Sequence, residues 1–256
     1  MNWFGVAAAA TAFLVIAACV LFPFGVALPI SIGLAIAFLV LLGLGVAFIH
    51  LNFFMPALCR GRSGARTVAL TYDDGPDPAA TEQLLDELRT ANAVATFFCV
   101  GERARAFPHI VKRMVDEGHL IGNHSQHHGW WTNFLFGSFM TRELREAQDS
   151  IAGASGVVPQ YYRPPLGLMN PHYRTALRCL GLRLVGWDIR SYDLRADPIA
   201  TIAERITRKV RPGSIIALHD AGPGPERVTE LARTLIVTLR DQGYSLVRVD
   251  QLDRGP

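Results

Sequence analysis

A chain of 256 residues has room for one sizeable domain and a small addition. Its net charge of +3, from 25 basic and 22 acidic residues, is too small and too mixed for a nucleic-acid surface. Every one of these charges lies from Arg60 onward, so the first 59 residues are a segment of a different kind.

Two apolar runs fill that segment, about 3–22 and 26–49. Each is long enough to cross a hydrocarbon core of about 30 Å, which needs roughly 20 helical residues. Pro23, Gly25 and Pro29 mark a turn between them. The start carries no charged side chain, unlike a cleaved leader. Residues 1–59 are therefore predicted to be a membrane anchor of two transmembrane helices, with a basic linker at 60–66. Arg60, Arg62 and Arg66 follow the second span, and basic flanks favour the cytoplasmic side. With two spans, the expectation is a multi-pass cell-membrane protein with its N-terminus and remaining domain inside the cell. Cys19, Cys59, Cys99 and Cys179 show no spacing of a zinc knuckle or a disulfide framework.

From Thr67 the chain alternates short apolar runs with longer amphipathic ones. The short runs predict strands at 67–72, 95–100, 120–123, 161–163, 182–187, 214–218 and 245–249. Asp77-Pro78, Asn170-Pro171 and Asp197-Pro198 read as helix starts, a capping side chain followed by a preset φ. Seven strands alternating with six helices predict a parallel β/α architecture. Polar clusters follow five of the strands at their C-terminal ends. In a barrel those ends share one mouth, whereas an open sheet spreads them along an edge. A barrel is expected.

The first cluster is Thr71-Tyr72-Asp73-Asp74-Gly75-Pro76. Two adjacent carboxylates repel unless a cation or a proton intervenes. The second is His124-Ser125-Gln126-His127-His128. His124 and His128 are four apart, which on a helical turn puts both rings on one side, and His127 competes at spacing three. Two histidines and a carboxylate from the Asp73/Asp74 pair make a hydrolytic metal site with open positions. Either aspartate fits, and the other is then free as a base. The remaining clusters are Arg163-Pro164-Pro165-Leu166-Gly167, Trp187-Asp188-Ile189-Arg190-Ser191-Tyr192-Asp193 and Leu218-His219-Asp220. His219 at a strand end is a candidate general acid.

These clusters, in this order, resemble the polysaccharide deacetylases of carbohydrate esterase family 4, the NodB-type homology domain, over residues 67–256. The resemblance implies a distorted (β/α)7 barrel. It implies Asp74, His124 and His128 as metal ligands, Asp73 as base, Arg163 steadying the base, and His219 as acid with Asp193 as its partner. Leu166, Trp187 and Leu218 fall in the substrate region, with a backbone N–H near Leu166 for the oxyanion. The implied reaction is removal of an N-acetyl or N-formyl group from an amino sugar in a glycan or a lipid-linked sugar. The donor set suits zinc, with cobalt, nickel or manganese as substitutes. No nucleic acid and no obligate protein partner are expected. An O-acetyl esterase, a cyclic-amide hydrolase and a non-catalytic sugar-binding module are the competing readings.

Leu166 and Leu194 stand where the family often has aromatic residues, which bears on substrate identity. Residues 129–139 carry five aromatics, Trp130, Trp131, Phe134, Phe136 and Phe139. These either fold back as core or form a lip that contacts membrane lipid.

Overall fold

The apolar N-terminal segment forms two helices, α1 (Trp3–Leu21) and α2 (Phe24–Ala47). The computed structural model describes residues 3–61, 65–134 and 136–253, so Arg62 of the expected basic linker lies outside the described residues. Pro23 separates the helices, whereas Pro29 lies inside α2 and does not break it. At about 1.5 Å per residue, the 24 residues of α2 are some 36 Å long. Both helices are apolar all round, and nearly all of their side chains face outward. The ring of Phe4 lies 6.3 Å from that of Phe38, so α1 runs back along α2 as a hairpin.

The chain leaving α2 does not hang free. The Phe4 N–H donates to the Phe53 carbonyl at 3.0 Å, and the Met169 N–H to the Val46 carbonyl at 2.9 Å. Ile49 and Phe54 share a buried cluster with Tyr162, Met169, Tyr173 and Leu184. Leu58 then pairs in parallel with Val185, and Arg60 antiparallel with Ser214. Arg60 and Arg66 are tied to the barrel as well, through the carbonyls of Pro212 and Gln242.

The larger domain is a sheet of β1 (Thr67–Asp73), β2 (Thr96–Cys99), β3 (Leu120–Asn123), β4 (Tyr161–Tyr162), β5 (Arg183–Leu184), β6 (Ile189–Arg190), β7 (Ile215–His219) and β8 (Ser245–Leu246). The order is β5-β4-β3-β2-β1-β7-β6, with β8 on the N-terminal end of β1, and every pairing is parallel. Helices α3 (Ala80–Thr90), α4 (Gly101–Ala106), α5 (Pro108–Asp116), α6 (Gly137–Ser155), α7 (Tyr173–Leu180), α8 (Ile199–Thr207) and α9 (Pro225–Asp241) join the strands, and α10 (Val249–Asp253) ends the described chain. This is the distorted (β/α)7 barrel that the motifs imply. It differs from the seven expected strands by β6, a two-residue strand within the Trp187–Asp193 cluster. The expected strand at 182–187 shortens to Arg183–Leu184. Among the described residues β5 and β6 do not pair with each other, so the barrel has a seam, and Leu58 lies along its β5 side.

Strand alternation sorts the core into two shells. Val68, Leu70 and Tyr72 of β1 face the helices, with Ile216 and Leu218 of β7. Ala69 and Ile215 face inward with Phe98, Tyr161 and Val185, and α10 closes the bottom with Val249 and Leu252. The same inward phase carries Thr71 and Asp73 to the top of β1, and Ala217 and His219 to the top of β7.

None of the three expected residues occupies the N-cap itself, but two of them bond backbone N–H groups at the entry to their helices. Asp77 Oδ1 accepts from the Ala79 and Ala80 N–H groups, and Asn170 Oδ1 from the His172 N–H. Asp197 instead accepts from Arg205 Nη2 at 2.6 Å, one helical turn and more along α8, and makes no capping bond.

Candidate active site

Asp73 ends β1 and is buried. Arg163, after β4, reaches it from inside the barrel and is wholly buried. Its Nη1 donates to Asp73 Oδ1 and to Thr71 Oγ1, each at 2.7 Å, and its Nη2 to the Gly186 carbonyl at 2.8 Å. The guanidinium lies 4.2 Å from the centre of the Phe98 ring. Both terminal nitrogens of this deep guanidinium are hydrogen-bonded, while its Nε is buried without a partner among the described residues.

Asp74, His124 and His128 converge. His124 Nε2 lies 3.3 Å and His128 Nε2 3.0 Å from Asp74 Oδ1. The three ligand atoms all lie within 4.8 Å of one another, which makes this a group able to hold a metal ion. His124 Nδ1 donates to the Arg163 carbonyl at 2.7 Å, which leaves the Nε2 lone pair for a cation. Burial would raise the Asp74 pKa, but the His124 and His128 imidazoles facing it outweigh burial and hold the carboxyl well below its usual range. Two imidazole nitrogens and one carboxylate oxygen, at open positions in a pocket, fit a divalent ion such as zinc.

The histidines do not sit on a helical turn, as their spacing had suggested. Residues 124–129 form an irregular loop in which Ser125 (φ 69°) and His128 (φ 50°) are left-handed. Ser125 Oγ accepts from the His128 N–H at 3.0 Å and folds His128 back toward His124, so that the two rings are 4.9 Å apart. His127 points elsewhere and pairs with Glu143 at 2.9 Å. Backbone strain collects here. Asp74, Ser125, His128, Leu166 and Tyr192 are five of the seven described non-glycine residues with positive φ.

His219 ends β7. Its Nδ1 pairs with Asp193 Oδ1 at 2.8 Å, and its backbone N–H donates to Asp193 Oδ2 at 2.8 Å. Ser191 Oγ donates to the same Asp193 Oδ1 at 2.6 Å. Burial alone would lower the imidazole pKa, but the Asp193 carboxylate, with Asp73 and Asp74 nearby, pushes it up to about 9.

One pocket of about 70 Å³ is lined by Asp73, Asp74, His124, His128, Trp187 and His219, with Leu166, Gly167, Arg190 and Leu194 at its edge. The structure therefore brings together the expected ligands, base, acid and two of the three substrate residues. Leu218 is the exception. It is buried in the helix-facing shell, and Ala217 holds the place on the pocket wall. The reason is the two-residue period: a strand that turns His219 inward turns Leu218 outward.

Three contributors have no role assigned from the sequence: Glu143 lies outside every motif, while Asp220 and Arg190 stand within two of the polar clusters. Glu143 on α6 is buried and accepts from the backbone N–H groups of Gln126 and His127, each at 3.0 Å, besides the His127 ring. Asp220 is buried below the Asp73–Gly75 turn, and Thr81 donates to it at 2.6 Å. Burial, with Asp74 beside it, pushes its carboxyl up to about 7. A side chain at Gly75 would collide with this carboxyl, which explains the glycine. Arg190 joins the pocket because β6 sets it there.

The polysaccharide deacetylase profile matches residues 60–185. The peptidoglycan-N-acetylglucosamine deacetylase of Bacillus cereus is 33% identical over 199 residues, 74% of this chain and 89% of the relative. The chain belongs to the polysaccharide deacetylase family. It is a hydrolase of that family's type, acting on carbon–nitrogen bonds other than peptide bonds. The peptidoglycan-N-acetylmuramic acid deacetylase PdaC of Bacillus subtilis is 35% identical over 188 residues, 73% of this chain, which spans only 39% of that longer relative. Among solved structures, the Bc1960 peptidoglycan N-acetylglucosamine deacetylase superposes with a TM-score of 0.71 at 29% identity, covering 77% of this chain and 92% of that one. The family membership agrees with the implied barrel and with the metal-site motifs.

Proposed function

We propose that this family member is a divalent-metal-dependent N-deacylase that removes acetyl or formyl groups from an amino sugar of a membrane-associated glycan or glycolipid. One observation carries the reading: a possible Asp74–His124–His128 metal site shares its pocket with two oppositely equipped groups, Asp73 held by Arg163 and His219 held by Asp193.

A bound divalent ion supplies Lewis-acid polarisation and lowers the pKa of water. Asp74, His124 and His128 would hold it. Asp73 Oδ1 is engaged by Arg163, so Oδ2 is the oxygen that takes the proton of the attacking water. Leu166, a left-handed residue at the pocket, is the one whose backbone N–H we assign to the developing oxyanion. His219 Nδ1 is committed to Asp193, so Nε2 delivers a proton to the departing nitrogen as the C–N bond breaks. An amine needs that proton more than an alcohol does, so a histidine kept protonated near neutrality favours amide over ester cleavage. The small pocket suits an acyl group, with the sugar ring outside it.

Residues 1–59 act as the anchor and 67–256 as the catalytic domain. The hairpin of α1 and α2 supports a common side for the N-terminus and the domain, and the basic residues after α2 favour the cytoplasmic side. A reporter fused to the C-terminus reads that side directly.

Acetate release by the purified full chain, on chitin oligosaccharide and on lipid-linked N-acetylglucosamine, tests the chemistry. Asp73→Asn and His219→Ala should each cost about 10²–10⁴-fold in kcat. Chelation should abolish turnover, and zinc or cobalt should restore it. Wild-type protein inert on every acylated amino sugar, with metal supplied, would end this reading.

A further inference from the structure

A second cavity opens beside the catalytic pocket. It has a volume of about 500 Å³ and shares Trp187 and Arg190 with that pocket. Its far end is formed by Ala47, Phe48 and His50, where α2 finishes. The groove thus runs from the end of the second apolar helix to the chemistry.

Its wall is cationic. Arg190, Lys209 and Arg211 line it, all exposed. The one carboxylate there is occupied: Asp188 Oδ2 accepts from Ser214 Oγ and Oδ1 from the Ile215 N–H, each at 2.8 Å. Arg211 stands 3.8 Å from it. Among the described residues Arg190 pairs with no carboxylate. Its guanidinium lies near the Trp187 and Tyr192 rings, at 5.8 Å and 5.4 Å. The Lys209 side chain has no hydrogen-bond or ionic partner among the described residues. Three cations facing one satisfied acid leave a positive surplus that a neutral glycan does not use. Guanidinium and ammonium groups together suit the oxygens of a phosphate.

We propose that this groove holds the phosphate of a substrate in which the amino sugar is joined through a phosphate ester to a long-chain lipid. The sugar enters the catalytic pocket past Trp187 and Arg190. The phosphate rests among Arg190, Lys209 and Arg211, and the lipid passes Ala47 and Phe48 to lie along α2. The inference rests on the deacylase reading and narrows its substrate from amino-sugar glycans at large to phosphate-linked glycolipids.

The test compares two probes of equal chain length on the full chain in phosphatidylcholine nanodiscs. One is N-acetylglucosamine carried on dodecyl phosphate, the other its dodecyl glycoside without phosphate. Binding is measured in an Asp73→Asn background, so that neither probe is consumed. The phosphate probe should bind tighter by roughly tenfold or more, the scale of one charge-assisted contact. Lys209→Glu with Arg211→Glu should bring its affinity down to that of the glycoside, and the milder Lys209→Gln with Arg211→Gln should move it in the same direction. Equal affinity for both probes, or a phosphate preference indifferent to these substitutions, overturns the proposal. So does competition by phosphatidylglycerol in the nanodisc as strong as by the probe, which makes the groove a site for bilayer headgroups. Loss of the preference while wild-type protein still deacetylates chitin oligosaccharide removes only the groove. Intact preference without any turnover removes only the deacylase reading.

Discussion

Arg163 serves both halves of the site. Its side chain holds Asp73, and its carbonyl fixes the tautomer of His124. A substitution there touches the proposed base and a proposed metal ligand together, so its effect does not separate into two independent losses. His219 is the cleaner probe. Its imidazole pKa of about 9 owes its rise to the Asp193 carboxylate, against burial. As the proton donor it must be charged, so kcat should hold through neutrality and fall as pH rises through about 9. Asp193→Asn removes the raising partner and leaves the burial that lowers it. The alkaline limb of a pH–kcat profile should then move toward neutrality by about one pH unit or more, a loss of roughly 1.4 kcal/mol in the preference for the charged ring. A limb that stays in place in Asp193→Asn would take the acid role away from His219.

At the scale of elements, α6 is the hidden support of the proposed metal site. Glu143 accepts three hydrogen bonds from the loop that carries His124 and His128. Glu143→Ala should loosen that loop and weaken zinc binding by about 10–100-fold, the usual cost of losing an outer support, as read by competition with a chromophoric chelator. Unchanged affinity would show that Ser125 alone sets the loop. Nothing in the sequence marks Glu143, because its partners are 16 and 17 residues away and it lies on an otherwise ordinary amphipathic helix. The main strands are legible because β1, β2, β3 and β7 are apolar runs, and β1, β3 and β7 end in polar clusters. β6 is not, since two residues carry no period. The histidine spacing left His127 as a competitor, and it is left-handed residues, and not a helical turn, that bring the His124 and His128 rings together. Leu218 is misplaced by a motif taken without the strand's own alternation, which sends alternate side chains to opposite faces. The choice between Asp73 and Asp74 comes from family resemblance, and the geometry agrees with it: Asp74 meets the histidines, while Asp73 meets Arg163.

At the scale of the whole molecule, the catalytic mouth and the apolar helices lie on the same side of the barrel. The loop after β4 passes from Leu166 in the pocket to Met169, which bonds the last turn of α2. The aromatic stretch joins this arrangement. Asn133 accepts from Asn170 Nδ2 at 2.7 Å and from the Tyr173 hydroxyl at 2.9 Å. Its aromatic neighbours do not fold back as core: Trp131 is 42%, Phe134 68%, Phe136 62% and Phe139 50% exposed. The Trp130 side chain and Leu135 lie outside the described residues. Such a lip next to the end of α2 fits the interfacial layer of a bilayer. Replacing Trp131, Phe134 and Phe136 with serine should lower turnover of a membrane-carried sugar several-fold and spare a soluble oligosaccharide. Equal losses on both would assign the lip to folding alone.

The stitched segment between α2 and β1 has a kinetic consequence. With Met169 bonded to Val46, Ile49 in the core and Leu58 paired to Val185, the helical hairpin is a fixed mount and not a tether. A domain so mounted cannot reach out to sample the bulk. With α1 and α2 in a bilayer and the lipid-borne substrate proposed above, its encounters would be set by how many substrate molecules occupy each patch of its own leaflet. Inert lipid added to that leaflet should then slow it by thinning the crowd, while a larger volume of water around the vesicle should not.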